Sequence, residues 1–201
     1  MSIRIPLFLL VFYFLTSFNA AAKQADQELA VATFSGGCFW CMEQPFDLLP
    51  GVIKTIPGYT GGKTKNPTYK QVSNGTTGHL EAIQIVYAPS LISYEKLLQV
   101  FWRNIDPTAG NGQFCDKGNQ YRSGIFYHNE EQKRLAEQSK ALLEKNKKFA
   151  GSVMTFITAA KEFYPAEEYH QNYSRKNPLI YKFYRFTCGR DKRLNELWGN
   201  S

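Results

Sequence analysis

Hydrophobic positions along the chain recur with two periods, and the period changes at glycine- and proline-rich breaks. Residues 31–35 form a short apolar run, Gly36-Gly37 relaxes the backbone for a sharp turn, and 39–49 fits a helix. Residues 51–59 read as a second strand, broken by Thr60-Gly61-Gly62. The stretch 63–78, rich in Gly, Asn, Thr and Lys, reads as an ordered loop, and loops of that length often carry sites. In 79–88 the alternation is clear: Leu80, Ala82, Gln84 and Val86 take one face of a strand, and Glu81, Ile83, Ile85 and Tyr87 take the other. Glu81 therefore shares a face with apolar side chains. A carboxylate there is costly unless paired or protonated, which places Glu81 either at an exposed strand end or in a functional role.

Ser93 caps a helix whose stripe is Leu97, Leu98, Phe101, Trp102 and Ile105, and Asp106-Pro107 ends it. Residues 108–120 form a second Gly- and Asn-rich loop, carrying Cys115 and Asp116, before a strand at 121–127. Asn129-Glu130-Glu131-Gln132 resembles a capping box and opens a helix to about Asn146, with Leu135, Leu142 and Leu143 on its buried side. A β-branched strand follows at 152–159, then a short helix at 167–176 containing Tyr169, His170 and Tyr173. Residues 177–187 are tyrosine-rich and read as irregular, and 191–198 as a last turn or two of helix. No repeat or linker interrupts the series. Strands with helices between them predict a single α+β domain, a mixed or antiparallel sheet covered on one side by helices.

The N-terminus differs in kind. Arg4 supplies a positive start, residues 7–15 are almost wholly apolar, and Ala20-Ala21-Ala22 offers a small-residue cleavage site before Lys23. Residues 1–22 read as a secretory signal peptide, too short to span a bilayer, with 23–201 as the mature domain. The expected location is the periplasm, an oxidising compartment. An uncleaved N-terminal anchor is the alternative. The formal charge of +7 falls to +6 without Arg4. Basic residues are scattered, with small clusters at 145–148 and 190–193 that lack interleaved aromatics, so they read as solvated surface rather than a nucleic-acid groove.

The chemistry concentrates at residues 36–45, where two cysteines and two large aromatics meet a strand-to-helix corner. Cys38 at a helix N-terminus faces unpaired N–H groups that favour a thiolate, lowering a pKa that starts at roughly 8.5. The other cysteines are Cys41, Cys115 and Cys188. An even count admits a disulfide framework, but that logic belongs to short chains with poor cores, and structural zinc would ask for two C-x2-C pairs. A redox role fits better, with no metal and no cofactor.

Gly37-Cys38-Phe39-Trp40, Gly58-Tyr59-Thr60-Gly61-Gly62, Asn66-Pro67-Thr68-Tyr69, Gly78-His79-Leu80-Glu81 and Gln120-Tyr121-Arg122-Ser123 occur in that order. Together they closely resemble the peptide-methionine (S)-S-oxide reductases, the A-type methionine sulfoxide reductases, from about Val31 to Trp198. The resemblance implies a ferredoxin-like α+β core, reduction of the S epimer of methionine sulfoxide, free or in proteins, and a thioredoxin-type reductant. It also implies that Cys38 is the nucleophile, that Phe39 and Trp40 line the substrate pocket, that Tyr69 and Tyr121 hydrogen-bond the sulfoxide oxygen, and that Glu81 is the acid. Asp116 matches a loop carboxylate beside the substrate, and His170 a supporting group. Many relatives carry glycine where Cys41 stands.

A sulfoxide sulfur is a poor electrophile until its oxygen is protonated or strongly hydrogen-bonded, so a thiolate must face acid or phenol donors. Attack leaves Cys38 as a sulfenic acid, which condenses with a second thiol. Cys41, three residues away, and Cys188, expected in a mobile tail, are the two resolving candidates, and Cys115 the third. A monomer is expected. The rival classes are a thioredoxin-like thiol–disulfide oxidoreductase using Cys38 and Cys41, a cysteine hydrolase using Cys38, His170 and Asp116, and a binding module without catalysis.

Overall fold

A computed structural model of the chain describes residues 28–147 and 149–199. The signal-peptide reading at 1–22 lies outside the described residues. Strand β1 (Ala30–Ser35) leads into helix α1 (Phe39–Asp47), which returns to β2 (Val52–Thr60). A short helix α2 (Tyr69–Ser73) precedes β3 (Leu80–Tyr87), and α3 (Tyr94–Arg103) follows it. The small ladder of β4 (Gly112–Gln113) and β5 (Asp116–Lys117) comes next, then β6 (Gly124–Tyr127) and α4 (Glu130–Asn146). The chain ends through β7 (Phe156–Ala159), β8 (Phe163–Pro165), α5 (Tyr173–Lys176), α6 (Pro178–Thr187) and α7 (Arg190–Trp198).

The main sheet runs β7-β6-β1-β3-β2-β8, antiparallel except where β6 meets β7. Within it, β1-α1-β2-β3-α3-β6 has the spatial strand order β6-β1-β3-β2. That is the βαββαβ arrangement of a ferredoxin-like core, as expected.

Register explains the buried face. Phe34 sits opposite Ile83 and Ile125, Ala32 opposite Ile85, and Tyr59 opposite Glu81, so these side chains share one side of the sheet. Phe34 is fully enclosed, its ring 4.9 Å from Phe101 of α3 and 5.7 Å from Phe46 of α1. Burying three aromatics this way stabilises the layer packing by several kcal/mol, roughly the 3–5 kcal/mol lost when a core Phe is truncated. Glu81 lies at the same depth, 2% exposed, so it is not at an exposed strand end.

Several expectations change. The 63–78 loop contains α2, because Thr68 and Gln71 form a full capping box that local composition obscured. Asn129 caps α4 as expected, but the Gln132 side chain reaches one residue further back, to the His128 N–H. Leu142 is exposed rather than buried, and Ala136 and Gln132 take the inward positions. The strand expected from Tyr121 begins at Gly124, after a 3-10 turn over Asn119–Tyr121. The helix expected at 167–176 breaks at Asn172, whose backbone is left-handed at φ 55°. Residues 177–187 are helical, not irregular: Pro178 takes the first helical position, where a missing N–H costs nothing.

The largest correction concerns the cysteines. Cys115 and Cys188 are joined in a disulfide, while Cys38 and Cys41 are free and buried. The bond ties the loop carrying Asp116 to the end of α6, so Cys188 is not a thiol in a mobile tail. Among the described residues Cys115, Asp116 and Cys188 also form a group close enough to hold a metal ion, but both sulfurs are spent in the disulfide.

Candidate active site

The site is built at the turn from β1 into α1. Gly37 adopts φ 82°, and a Cβ there would fall 2.7 Å from the Cβ of Gln113, so the turn needs glycine on both counts. Cys38 follows as the N-cap of α1, and its side chain makes no capping bond. The Phe39 N–H, one of the donors a helix start leaves unpaired, donates to Glu81 Oε2 at 3.0 Å. This bond fixes the strand β3 carboxyl beside the thiol turn and leaves its other oxygen to carry a proton. Burial pushes Glu81 up to about 8, against the downward pull of that same N–H. The acid is therefore protonated at neutral pH.

Cys41 sits one turn into α1, its N–H donating to the Cys38 carbonyl oxygen at 3.0 Å, and the two buried cysteines cluster together with Tyr181. Burial, the neighbouring Cys41 thiol and the nearby Glu81 and Asp116 carboxyls push Cys38 up, opposite to the lowering expected from its place at a helix start. The neighbouring Cys38 thiol, with Arg190 and Arg185 adding to it, pulls Cys41 down despite burial. Within the pair these shifts direct ionisation toward Cys41 and the proton toward Cys38. A C-x2-C pair at a helix start can pass that proton from sulfur to sulfur.

Two phenols face the pair. Tyr69 begins α2, held by its backbone N–H donating to Glu167 Oε1 at 2.9 Å; Tyr121 closes the turn before β6. Neither hydroxyl has a hydrogen-bond partner among the described residues, and both are kept protonated by burial, with the charges of Glu81 and Cys38 adding to the effect. They are donors without acceptors.

Aromatic side chains wall the site. Phe39 lies 5.0 Å from His170 and 6.3 Å from Tyr69. Trp40 stacks on Tyr173 with centroids 3.7 Å apart and planes within 5°, and its indole N–H donates to His170 Nδ1 at 3.0 Å. Burial holds His170 neutral, so its proton is on Nε2. Its Nδ1 is taken by the indole, its buried Nε2 has no partner, and no hydrogen bond joins it to Cys38 among the described residues, so the pairing that a cysteine hydrolase needs is not formed. Asp116 accepts from the Tyr184 hydroxyl on both oxygens at 2.8 Å. Burial nevertheless raises its pKa.

The structure thus brings Cys38, Phe39, Trp40, Cys41, Tyr69, Glu81, Asp116, Tyr121 and His170 together, and leaves Cys188 bonded to Cys115. Residues not singled out from the sequence complete the frame. Glu43, on the inner side of α1, accepts the Asn172 N–H at 3.0 Å and so places Tyr173 against Trp40; burial raises it to about 7. Glu167 holds Tyr69, and Tyr184 holds Asp116. A three-residue helical spacing from Trp40 was the one available sign for Glu43; nothing local marks Glu167 or Tyr184. A cavity of about 690 Å³ between α3 and α4 involves none of these residues.

A βαββαβ domain that sets a buried thiol pair against a protonated carboxyl and two unpartnered phenols is a thiol-dependent reductase of an oxygen-bearing substrate. Residues 30–201 match the family model for peptide methionine sulfoxide reductase, and the chain belongs to that family. The chain is 53% identical over 172 residues to the peptide methionine sulfoxide reductase MsrA of Listeria monocytogenes, covering 86% of this chain and 97% of that one. It is 53% identical over 174 residues to the Bacillus subtilis MsrA, covering 87% and 98%. Among solved structures, reduced Mxr1 from Saccharomyces cerevisiae superposes with a TM-score of 0.70 at 34% identity, over 76% of this chain and 87% of that one. The chain is thus an oxidoreductase that reduces methionine sulfoxide, and the thioredoxin-like reading is not favoured.

Proposed function

We propose that Cys38 attacks the sulfur of an (S)-methionine sulfoxide and that Cys41 resolves the product. On substrate binding the Cys38 proton moves to Cys41 and the Cys38 sulfur attacks. Glu81 delivers a proton to the sulfoxide oxygen, with the Tyr69 and Tyr121 hydroxyls donating hydrogen bonds to it. The oxygen passes to Cys38 as a sulfenic acid and methionine leaves, reduced by two electrons. Cys41 then attacks the Cys38 sulfur; the S–S bond forms, the S–O bond breaks, and the oxygen departs as water. The site needs no metal for these steps.

The observation that carries this reading is the Phe39 N–H to Glu81 bond, which holds a protonated acid one residue from the nucleophile. Cys41 is favoured as the resolving thiol because it is free and clusters with Cys38, whereas Cys188 is already bonded to Cys115. The methyl group of the substrate has no hydrogen-bond handle and suits the slot between Phe39 and Trp40. Asp116 sits beside that slot.

The electron donor is proposed to be a thioredoxin-like protein; Mxr1 has been solved in complex with Trx2. If residues 1–22 act as a signal peptide, the mature 23–201 domain works in the periplasm as a monomer and repairs exported proteins, with a periplasmic donor. Disulfide mapping after one equivalent of substrate tests the order of events. A Cys38–Cys41 bond is expected, absent in Cys38→Ser. Cys41→Ser is expected to turn over with dithiothreitol and to stall with thioredoxin. Full activity in Cys38→Ser would refute the mechanism.

A further inference from the structure

Arg190 opens α7 and is 1% exposed, among the most deeply enclosed large side chains of the protein. Buried guanidinium groups are nearly always matched by a carboxylate, because an unpaired charge in the interior is strongly disfavoured. Among the described residues Arg190 forms no ion pair, whereas the other C-terminal arginines do: Arg185 with Asp191 and Arg193 with Asp106. Its Nη2 donates instead to the carbonyl oxygens of Asn104 at 2.6 Å and Gly36 at 3.2 Å, and touches Met42 Sδ at 3.1 Å. Its Cζ lies 4.4 Å from the Phe114 ring centroid, and its buried Nε has no partner. Carbonyl dipoles, a thioether and a ring face orient the cation without neutralising it.

These contacts are not scattered. Gly36 precedes the Gly37-Cys38 turn, Met42 follows Cys41, and Phe114 stands two residues before Asp116. The guanidinium is wrapped by the segment that carries both thiols. We propose that Arg190 is the fixed counter-charge of the Cys38–Cys41 pair, a positioning residue that keeps one of the two sulfurs ionised near neutrality without touching substrate. The proposal deepens the redox reading above and rests on it for its consequence in turnover, but not for its test.

The other groups around the pair fit this assignment. From β3 and β5, Glu81 and Asp116 both oppose a negative sulfur. Glu81 is neutral below about 8, and burial raises Asp116, which weakens the opposition of both carboxyls. From α6, Arg185 adds to the field, but Asp191 engages it at 2.6 Å. The phenols of Tyr69, Tyr121, Tyr181 and Tyr184 stay protonated because burial raises each of them. Arg190 also lowers both Cys41 and Asp116, as a nearby cation must.

The test is the pH dependence of thiol alkylation by iodoacetamide in the fully reduced protein, with Cys38 and Cys41 peptides resolved by mass spectrometry. An opposite charge close to a buried group lowers its pKa by about 1–3 units. Arg190→Gln is therefore expected to move the inflection up by about one unit or more, which cuts the rate on the acid limb about tenfold. Arg190→Lys, which keeps the charge, is expected to restore most of the shift. Should Arg190→Gln fail to fold, a chain ligated at Cys188 to a synthetic 188–201 peptide with citrulline for Arg190 keeps the shape and removes only the charge. An inflection unchanged in the neutral variant, or shifted equally by Lys and Gln, would overturn the proposal. No sulfoxide is turned over in this assay, so its outcome is independent of whether the enzymatic mechanism stands.

Discussion

Glu81→Gln isolates proton delivery from architecture. The amide oxygen can still accept the Phe39 N–H, now 3.0 Å from Glu81 Oε2, so the turn that positions Cys38 is retained. What disappears is the transferable proton. With Glu81 raised to about 8, about nine-tenths of the wild-type carboxyl is protonated at pH 7 and about one-tenth at pH 9. The sign follows directly: a general acid works while protonated, so kcat with dithiothreitol is expected to hold through neutral pH and fall as pH rises through about 8. Above that, the loss approaches about tenfold per unit. The Gln variant loses about 10²–10⁴ in kcat, the usual worth of positioned acid catalysis, which is about 3–5 kcal/mol. It also loses the alkaline limb. The measurement is kcat from pH 5.5 to 10 on a peptide carrying the S-sulfoxide. An alkaline limb that persists unchanged in Glu81→Gln, or a loss below about tenfold at pH 7, would show that the proton comes from elsewhere.

The phenols offer a contrasting pair: Tyr69→Phe and Tyr121→Phe remove hydroxyls that have no partner among the described residues, so each is expected to leave the urea midpoint within about 0.5 kcal/mol of wild type while costing about tenfold or more in kcat. Gly37→Ala combines a left-handed backbone with a 2.7 Å contact to Gln113 and is expected to destabilise by about 2–4 kcal/mol, read by urea unfolding. Breaking the Cys115–Cys188 bond by Cys115→Ser with Cys188→Ser frees a 73-residue separation, for which chain entropy sets an upper value of about 4 kcal/mol; a loss of about 2–4 kcal/mol is expected. The same double variant is expected to form a Cys38–Cys41 disulfide after one equivalent of substrate, and failure to do so would return the resolving role to Cys188.

What could be read from the chain and what could not divide along one physical line. Glu81 was legible because strand alternation is local: its neighbours Ile83 and Ile85 name its face, and the apolar face implies burial. Cys38, Phe39 and Trp40 were legible because two glycines and a helix start lie within a few residues of them. The residues that tune the site are long-range partners. Arg190 meets Gly36 across 154 positions, Asn172 meets Glu43 across 129, and Trp40 meets His170 across 130. No window of sequence contains both ends of such a contact, and the tyrosine-rich 177–187 segment looked irregular because its apolar positions are split between an inner face and solvent. Leu179, Phe183 and Phe186 point outward while Tyr181 turns in toward the thiols. The same separation explains the error over Cys188. Its partner lies 73 residues away, and only the return of α6 onto the Asp116 loop brings the two sulfurs together. With Cys188 spent in holding the loop, the free thiol that clusters with Cys38 is Cys41, and a buried arginine favours its ionised form. In the proposed mechanism, resolution, acid delivery and ionisation are served by α1, β3 and α7 respectively, three elements that only the folded sheet brings to one corner.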